Sequence, residues 1–203
     1  MNSNSLRQLV GDTDIYLLDQ IMKGRYSQTD KILDAGCGAG RNLHWFLNEN
    51  MDVYGIDQNP VSINELKAEY HLLAADRLQS CSVENLPFEN NFFDHVISSA
   101  VLHFANSVSQ FQTMLAEMVR VLKPGGSLFI RMTSDIGIED KVKPIGDGVY
   151  MIPDHSKRFL LTRSLLSGIL QQHPLSFIEP FKTVNVDDIR CMSTLVLQKE
   201  QKH

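Results

Sequence analysis

The chain has 203 residues, 43% of them hydrophobic, with 19 Lys and Arg against 24 Asp and Glu and a formal net charge of −5. That length suits one domain with a core of ordinary size. The acidic balance argues against a general nucleic-acid or anionic-membrane binder, and no apolar run reaches the ~18–20 residues of a membrane span. In chain order, residues 1–13 read as a polar, mobile end. Residues 14–22 place Ile15, Leu18, Ile21 and Met22 at helical spacing, and Gly24 stops that helix. Lys31 to Ala35 is a short apolar strand that enters the loop Gly36-Cys37-Gly38-Ala39-Gly40. A helix is expected from Arg41 to Asn50. Val53 to Ile56 is a second strand closed by Asp57, and Asn59-Pro60 starts a helix to about Tyr70.

Leu78 to Val83 reads as a weak third strand, Phe93 to Ser98 as a fourth and Ser127 to Met132 as a fifth. Between the last two, residues 108–122 have helical periodicity and stop at Lys123-Pro124-Gly125-Gly126. Strands alternating with helices over short connections imply a parallel sheet covered on both faces. Thr133 to Arg158 has no convincing period, which suggests a lid or binding loop. Thr162 caps a helix to about Gln172. Phe177 to Val186 and Cys191 to Lys199 then read as an antiparallel hairpin. Cys37, Cys81 and Cys191 form no C-x-x-C pair. Neither a zinc ribbon nor a disulfide framework is expected, and no secretory leader is visible, so a cytoplasmic setting is the default.

The strongest signal is Asp34-Ala35-Gly36-Cys37-Gly38-Ala39-Gly40. Glycines permit positive φ and let a ligand press on bare backbone, and a helix starting near Arg41 would offer free N–H groups. A dinucleotide site prefers G-x-G-x-x-G. Here the spacing is G-x-G-x-G with an acidic residue before it, which suits an amino group better than a pyrophosphate. Asp57, ending the second strand, suits the two hydroxyls of a ribose.

These blocks, with Glu84-Asn85-Leu86-Pro87-Phe88, Phe93 to Ile97 and Arg120 to Gly126, resemble in order the motifs of class I S-adenosylmethionine-dependent methyltransferases. The resemblance covers residues 30–132. It implies a doubly wound, Rossmann-like, mostly parallel seven-stranded sheet with an antiparallel last strand and an α-helical N-terminal segment. It further implies that Asp34 and the backbone at Gly36 and Gly38 hold the methionine part of S-adenosyl-L-methionine, with Gly40 and Arg41 also in the cofactor-binding loop. Asp57 would take the ribose and Gln58 would flank the adenine. Ser82, followed by Val83 and Glu84 in the cofactor-binding stretch, stands where many members have Asp, so adenine recognition would lean on the Val83 backbone, and Ser98 and Ser99 would lie near the methionine end. Arg41-Asn42 and Ser98 to Leu102 resemble small methyltransferases of the tellurite-resistance type.

The expected activity is methyl transfer to a small-molecule acceptor, with no nucleic acid, membrane or metal involved, by a monomer or homodimer. His103 and His155 are the candidate bases. Arg131 and Arg190 could meet an anionic acceptor. Phe104, Met151, Phe159 and Phe181 read as core. Two other readings fit the same loop: a nicotinamide-dependent oxidoreductase and a non-catalytic cofactor-binding partner subunit. Residues 1–203 read as one domain, with 133–161 as its lid.

Overall fold

In the computed structural model, which describes residues 3–71, 73–74 and 76–201, the helical and strand periods sort apolar side chains onto two faces of one sheet. The elements in chain order are α1 (Ser3–Val10), α2 (Ile15–Met22), β1 (Lys31–Ala35), α3 (His44–Asn48), β2 (Asp52–Asp57), α4 (Pro60–Glu69) and β3 (Leu78–Ser80). Then follow β4 (Phe93–Ser99), α5 (Val108–Val121), β5 (Leu122–Ser134), β6 (Lys143–Gly146), β7 (Val149–Met151) and β8 (Lys157–Phe159). The chain ends with α6 (Arg163–Gln172), β9 (Leu175–Phe177), β10 (Lys182–Val186) and β11 (Arg190–Lys199).

The main sheet has the order β10-β11-β5-β4-β1-β2-β3, and β9 also pairs with β11. The pairs among β1 to β5 are parallel, whereas β11 is antiparallel to β5, β9 and β10. This is the expected seven-strand path with an antiparallel last strand. Ile32, Val53, Ile97, Phe129 and Val196 pack with Leu17, Phe46 and Ile63 on the face covered by α2 to α4. Leu33, Val96, Leu128, Ile130 and Leu195 pack with Phe111, Leu115 and Ile169 on the face covered by α5 and α6. The chain therefore leaves β1 toward one face and β4 toward the other. Their diverging loops open a crevice at the carboxyl edge, where open α/β sheets bind ligands.

The helix starts follow their caps. Asp14 accepts from the Tyr16 amide, Asn59 from Val61, Ser107 from Gln110 and Thr162 from Leu165.

Several sequence expectations are corrected. The N-terminal stretch forms α1, so within residues 3–10 it is helical rather than loose. The helix after the glycine loop begins at His44, and Arg41 to Leu43 form a turn. The third strand stops at Ser80. The expected strand from Phe177 to Val186 is split into β9 and β10, because Pro180 has no amide to continue the ladder.

The largest correction concerns residues 133–158. β5 continues to Ser134, and β6, β7 and β8 then form a separate antiparallel sheet. These strands have three or four residues each, too short for a period to register. Their turn did carry a signal. Asp147 and Gly148 lie at φ +48° and +81°, the left-handed pair favoured by tight hairpins. Below this small sheet, Ile136, Ile138 and Ile152 are buried, so they serve the core.

Candidate active site

The glycine loop is pinned to its neighbouring strand. The amides of Gly36 and Cys37 both donate to the Ile56 carbonyl at 2.8 Å. The Gly38 amide donates to Asp57 Oδ2 at 2.9 Å, and Asp57 Oδ1 accepts from the Asn59 amide at 2.8 Å. Two backbone donors thus fix the Asp57 carboxylate at the mouth of the loop. The expected helix N-terminus is not the source of these contacts, because α3 starts three residues too late.

The glycines have different jobs. A Cβ on Gly36, at φ +90°, would overlap Val101, and one on Gly40 would overlap Leu66. Both are demanded by packing. At Gly38, φ +52°, an added Cβ would meet nothing within 4 Å. Only there does the missing side chain open space.

That space is a cavity of about 300 Å³ lined by Gly36, Gly38, Asp57, Gln58, Ser82, Val83, Glu84, Ala100, Val101 and Phe104. Seven of the residues expected to hold the cofactor therefore meet here. Ser82 and Glu84 are hydrogen-bonded to each other, and Gln110 Nε2 donates to Glu84 Oε1 at 2.5 Å. Burial pulls the Glu84 pKa up, but the Gln110 and Ser82 hydrogen bonds outweigh it and hold the carboxylate below its usual range. A formal charge is thus present two residues after Ser82. Ala100 follows β4 at φ +62°, a conformation costly for alanine, and its amide donates to the Arg131 carbonyl at 2.7 Å.

Asp34 lies behind the loop. It is 1% exposed, and neither carboxylate oxygen has a hydrogen-bond partner among the described residues. Burial pushes its pKa up to about 7, with the Arg41 charge opposing and the Asp57 charge adding. Asp34, Gly40, Arg41, Ser98 and Ser99 do not line the cavity. Ser98 is fully buried, and its hydroxyl has no hydrogen-bond partner among the described residues.

Arg41 Nη2 donates to Ser99 Oγ at 3.1 Å and lies 3.6 Å from Asp14 Oδ2. Asp14, 5% exposed, also accepts from Arg131 Nη1 at 3.0 Å and from Ser99 Oγ at 3.3 Å. Sequence reasoning saw Asp14 only as the start of a helix. Its partners Ser99 and Arg131 are distant in sequence, and no local pattern marks their pairing with Asp14.

His103 sits in a single 3-10 turn, Leu102–Phe104, and is 7% exposed. Its Nδ1 accepts from the Thr133 amide at 3.3 Å, with Thr133 Oγ1 at 3.1 Å. Burial, assisted by the charges of Arg158, Arg131 and Arg190, pushes its pKa down to about 4. With Nδ1 accepting, the neutral ring carries its proton on Nε2. Nε2 is therefore a hydrogen-bond donor in the neutral ring. His155 is exposed in the β7–β8 turn at φ +64° and does not line the cavity. Phe104, expected in the core, is 60% exposed at the cavity wall, whereas Phe159 is buried and stacks on Phe111 at 4.8 Å.

A family model described as a methyltransferase domain matches residues 33–130. That stretch holds the glycine loop, Asp57 and β4, and the likeness covers just under half of the chain. Among its relatives is an uncharacterized methyltransferase, YodH, of Bacillus subtilis, 34% identical over 125 residues, or 61% of this chain and 48% of that protein. The chain thus spans about half the length of that curated relative. The fold is shared with the PH0226 protein of Pyrococcus horikoshii, at TM-score 0.72 and 17% identity over 98% of this chain and all of that one. It is also shared with 1,6-didemethyltoxoflavin-N1-methyltransferase of Burkholderia thailandensis, whose structure holds 1,6-didemethyltoxoflavin and S-adenosylhomocysteine. There the TM-score is 0.69 at 18% identity, over 95% of this chain and 80% of the other. No helix among the described residues is long and apolar enough to cross a membrane.

Proposed function

We propose that the chain binds S-adenosyl-L-methionine in the Gly38–Asp57 cavity and transfers its methyl group to a small-molecule acceptor. The observation that carries this reading is the pairing of an open backbone at Gly38 with a buried, unpartnered carboxylate at Asp34. An unpaired buried carboxylate is costly, and an ammonium group relieves that cost. The amino group of the cofactor's methionine part is such a partner. The residues present therefore fit the group.

Asp57, held by Gly38 and Asn59, keeps free lone pairs for the ribose hydroxyls. Gln58, Val83 and Glu84 line the adenine end, with Ser82 acting on Glu84. Gly36 and Gly40 shape the loop. Arg41, Ser98 and Ser99 stand at the methionine end. When bound, the cofactor supplies an activated methyl group, and the protein's part is alignment and exclusion of water. Neutral His103 offers Nε2–H to the acceptor, and the chain presents no base of ordinary strength at that atom. His155 is left without a chemical role. The acceptor side is taken to be the segment 133–161, now a small sheet rather than a loose lid, within one domain spanning residues 1–203. The names of relatives that act on small molecules support that acceptor class.

Isothermal titration with S-adenosylmethionine, S-adenosylhomocysteine and NAD tests the assignment. Micromolar binding of the first two and none of the third is expected. Tight NAD binding would instead support the oxidoreductase. A turnover screen over thiol, phenol, amine and metalloid acceptors then separates an enzyme from a non-catalytic subunit.

A further inference from the structure

The charges of the 133–161 segment look balanced in sequence, but the structure sorts them. Lys141 is taken by Asp188 at 2.5 Å. Glu139 accepts from the Gly137 amide, and Asp154 Oδ1 accepts from the amide and hydroxyl of Ser156. Arg131 is taken by Asp14. Three guanidinium groups near this segment, those of Arg158, Arg163 and Arg190, have no carboxylate within ion-pairing distance among the described residues, and the Arg163 charge falls on Asp135.

The charges of Arg158 and Arg190 both bear on the His103 turn. Arg158, on β8, lies over the Phe104 ring with its Cζ 5.1 Å from the centroid, and its hydrogen bond goes only to the neighbouring Lys157 carbonyl. Phe104 lines the cofactor cavity and packs edge-on against His103 at 4.5 Å. Arg190 opens β11 two residues before Met192, so the two share a sheet face. Met192 Sδ accepts from Thr133 Oγ1 at 3.4 Å, and Thr133 holds His103. Arg158 and Arg190 thus approach the His103 turn from two different sheets, and both act on the charge states of His103 and Asp154. Asp154 is the acid that both feel, and its Oδ1 is already engaged.

We propose that Arg158 and Arg190 read an oxyanion on the acceptor, so that the methylated molecule carries a carboxylate or phosphate group beside a flat apolar body lying on Phe104. This rests on the cofactor assignment above, because Phe104 joins the two sites. Planar guanidinium forks suit such oxyanions, and an aromatic ring left 60% exposed at a cavity wall suits an apolar ring.

The test uses the full chain saturated with S-adenosylhomocysteine and titrated with benzoate, phenyl phosphate and benzamide. The wild type is expected to bind at least one of the two anions about tenfold or more tightly than benzamide, and the preferred anion identifies the oxyanion. Arg158→Gln and Arg190→Gln should each cut that preference several-fold, and the double variant should erase it. Arg158→Lys should keep part of it. S-adenosylhomocysteine affinity should stay unchanged in all four variants, which reports an intact fold. Equal binding of anions and benzamide by the wild type, or a preference surviving in the double variant, overturns the proposal. Failure of the wild type to bind S-adenosylhomocysteine overturns the cofactor assignment instead, and the anion titrations without it then judge the arginine pair separately.

Discussion

The two sides of the crevice handle buried charge in opposite ways. On the β1–β2 side, Asp34 is buried with both oxygens unpartnered, and the Asp57 carboxylate is oriented by backbone but left open to the cavity. On the β4–β5 side, Asp14 is just as buried but collects Arg131, Arg41, Ser99 and the Tyr16 amide. His103 likewise has its acceptor nitrogen filled by Thr133. The difference separates a carboxylate left free for a charged ligand from one already neutralised by Arg131 and Arg41. Unsatisfied buried groups persist where function requires them, whereas structural networks satisfy their members.

The largest expected effects test this contrast within the glycine loop. Gly36→Ala forces a Cβ into Val101 at a positive φ. It should cost about 2–5 kcal/mol of stability, from strain and overpacking together. Gly38→Val should cost only about 1–2 kcal/mol for its backbone conformation, yet abolish S-adenosylhomocysteine binding by filling the cavity. Chemical denaturation and calorimetry on both variants check this. Equal destabilisation with binding retained in Gly38→Val would remove the ligand from this loop.

Next in size is Asp57→Ala. A charged acceptor of hydrogen bonds contributes about 1.5–3 kcal/mol, so the cofactor's dissociation constant should rise about tenfold to hundredfold. The cavity-facing role predicts little change in melting temperature. A large drop in stability with unchanged affinity would turn Asp57 into a loop-pinning residue alone.

The open side was the legible one. Asp34, Gly38 and Asp57 were marked by a short spacing, because a strand, a tight turn and a second strand must bring them together. Asn59 and Thr162 were legible as caps for the same local reason. The closed side was not. Asp14 and Arg131 are 117 residues apart, and their pairing depends on where α2 settles on the sheet. Phe104 read as core because an aromatic residue after a strand usually is, and only the position of the 3-10 turn exposes it. The β6–β8 sheet escaped notice because strands of three or four residues carry no period, although Asp147-Gly148 marked its turn.

A smaller effect follows from Asp34. With its pKa near 7 in the free protein, the carboxyl is part protonated at neutral pH, whereas pairing with an ammonium requires the charged form. Binding should therefore release protons near pH 7 and weaken about tenfold between pH 8 and pH 6. Calorimetry in buffers of different ionisation enthalpy measures the release. Asp34→Asn should bind more weakly throughout and lose both the proton release and the slope. A slope that survives in Asp34→Asn belongs to another group.

The smallest effect is a near-cancellation in the free protein's own stability, and it sets the two sides directly against each other. Asp34 has its folded pKa raised, from 3.8 to about 7. Between those values the folded state holds a proton that the unfolded chain has lost, so its contribution is full below pH 4 and is lost as pH rises through 7. His103 has its folded pKa lowered, from 6.5 to about 4, and burial lowers His95 in the same direction. Between those values the unfolded chain takes up a proton that the fold refuses, so stability from these rings is present above 6.5 and is lost on acidification. Over pH 4 to 6.5 the two slopes oppose, and wild-type stability in urea should change little. Asp34→Asn removes the first slope, and the variant should lose stability steadily as pH falls from 6.5. His103→Gln removes much of the second and should gain stability over the same interval, while its amide replaces the Nε2–H donor. The histidine ring itself, followed by long-range nitrogen–proton correlation, should show the Nε2–H tautomer at pH 7 and no titration between pH 5.5 and 8. A His103 that titrates near 6.5 would reopen the β4–β5 side and restore the imidazole as a base.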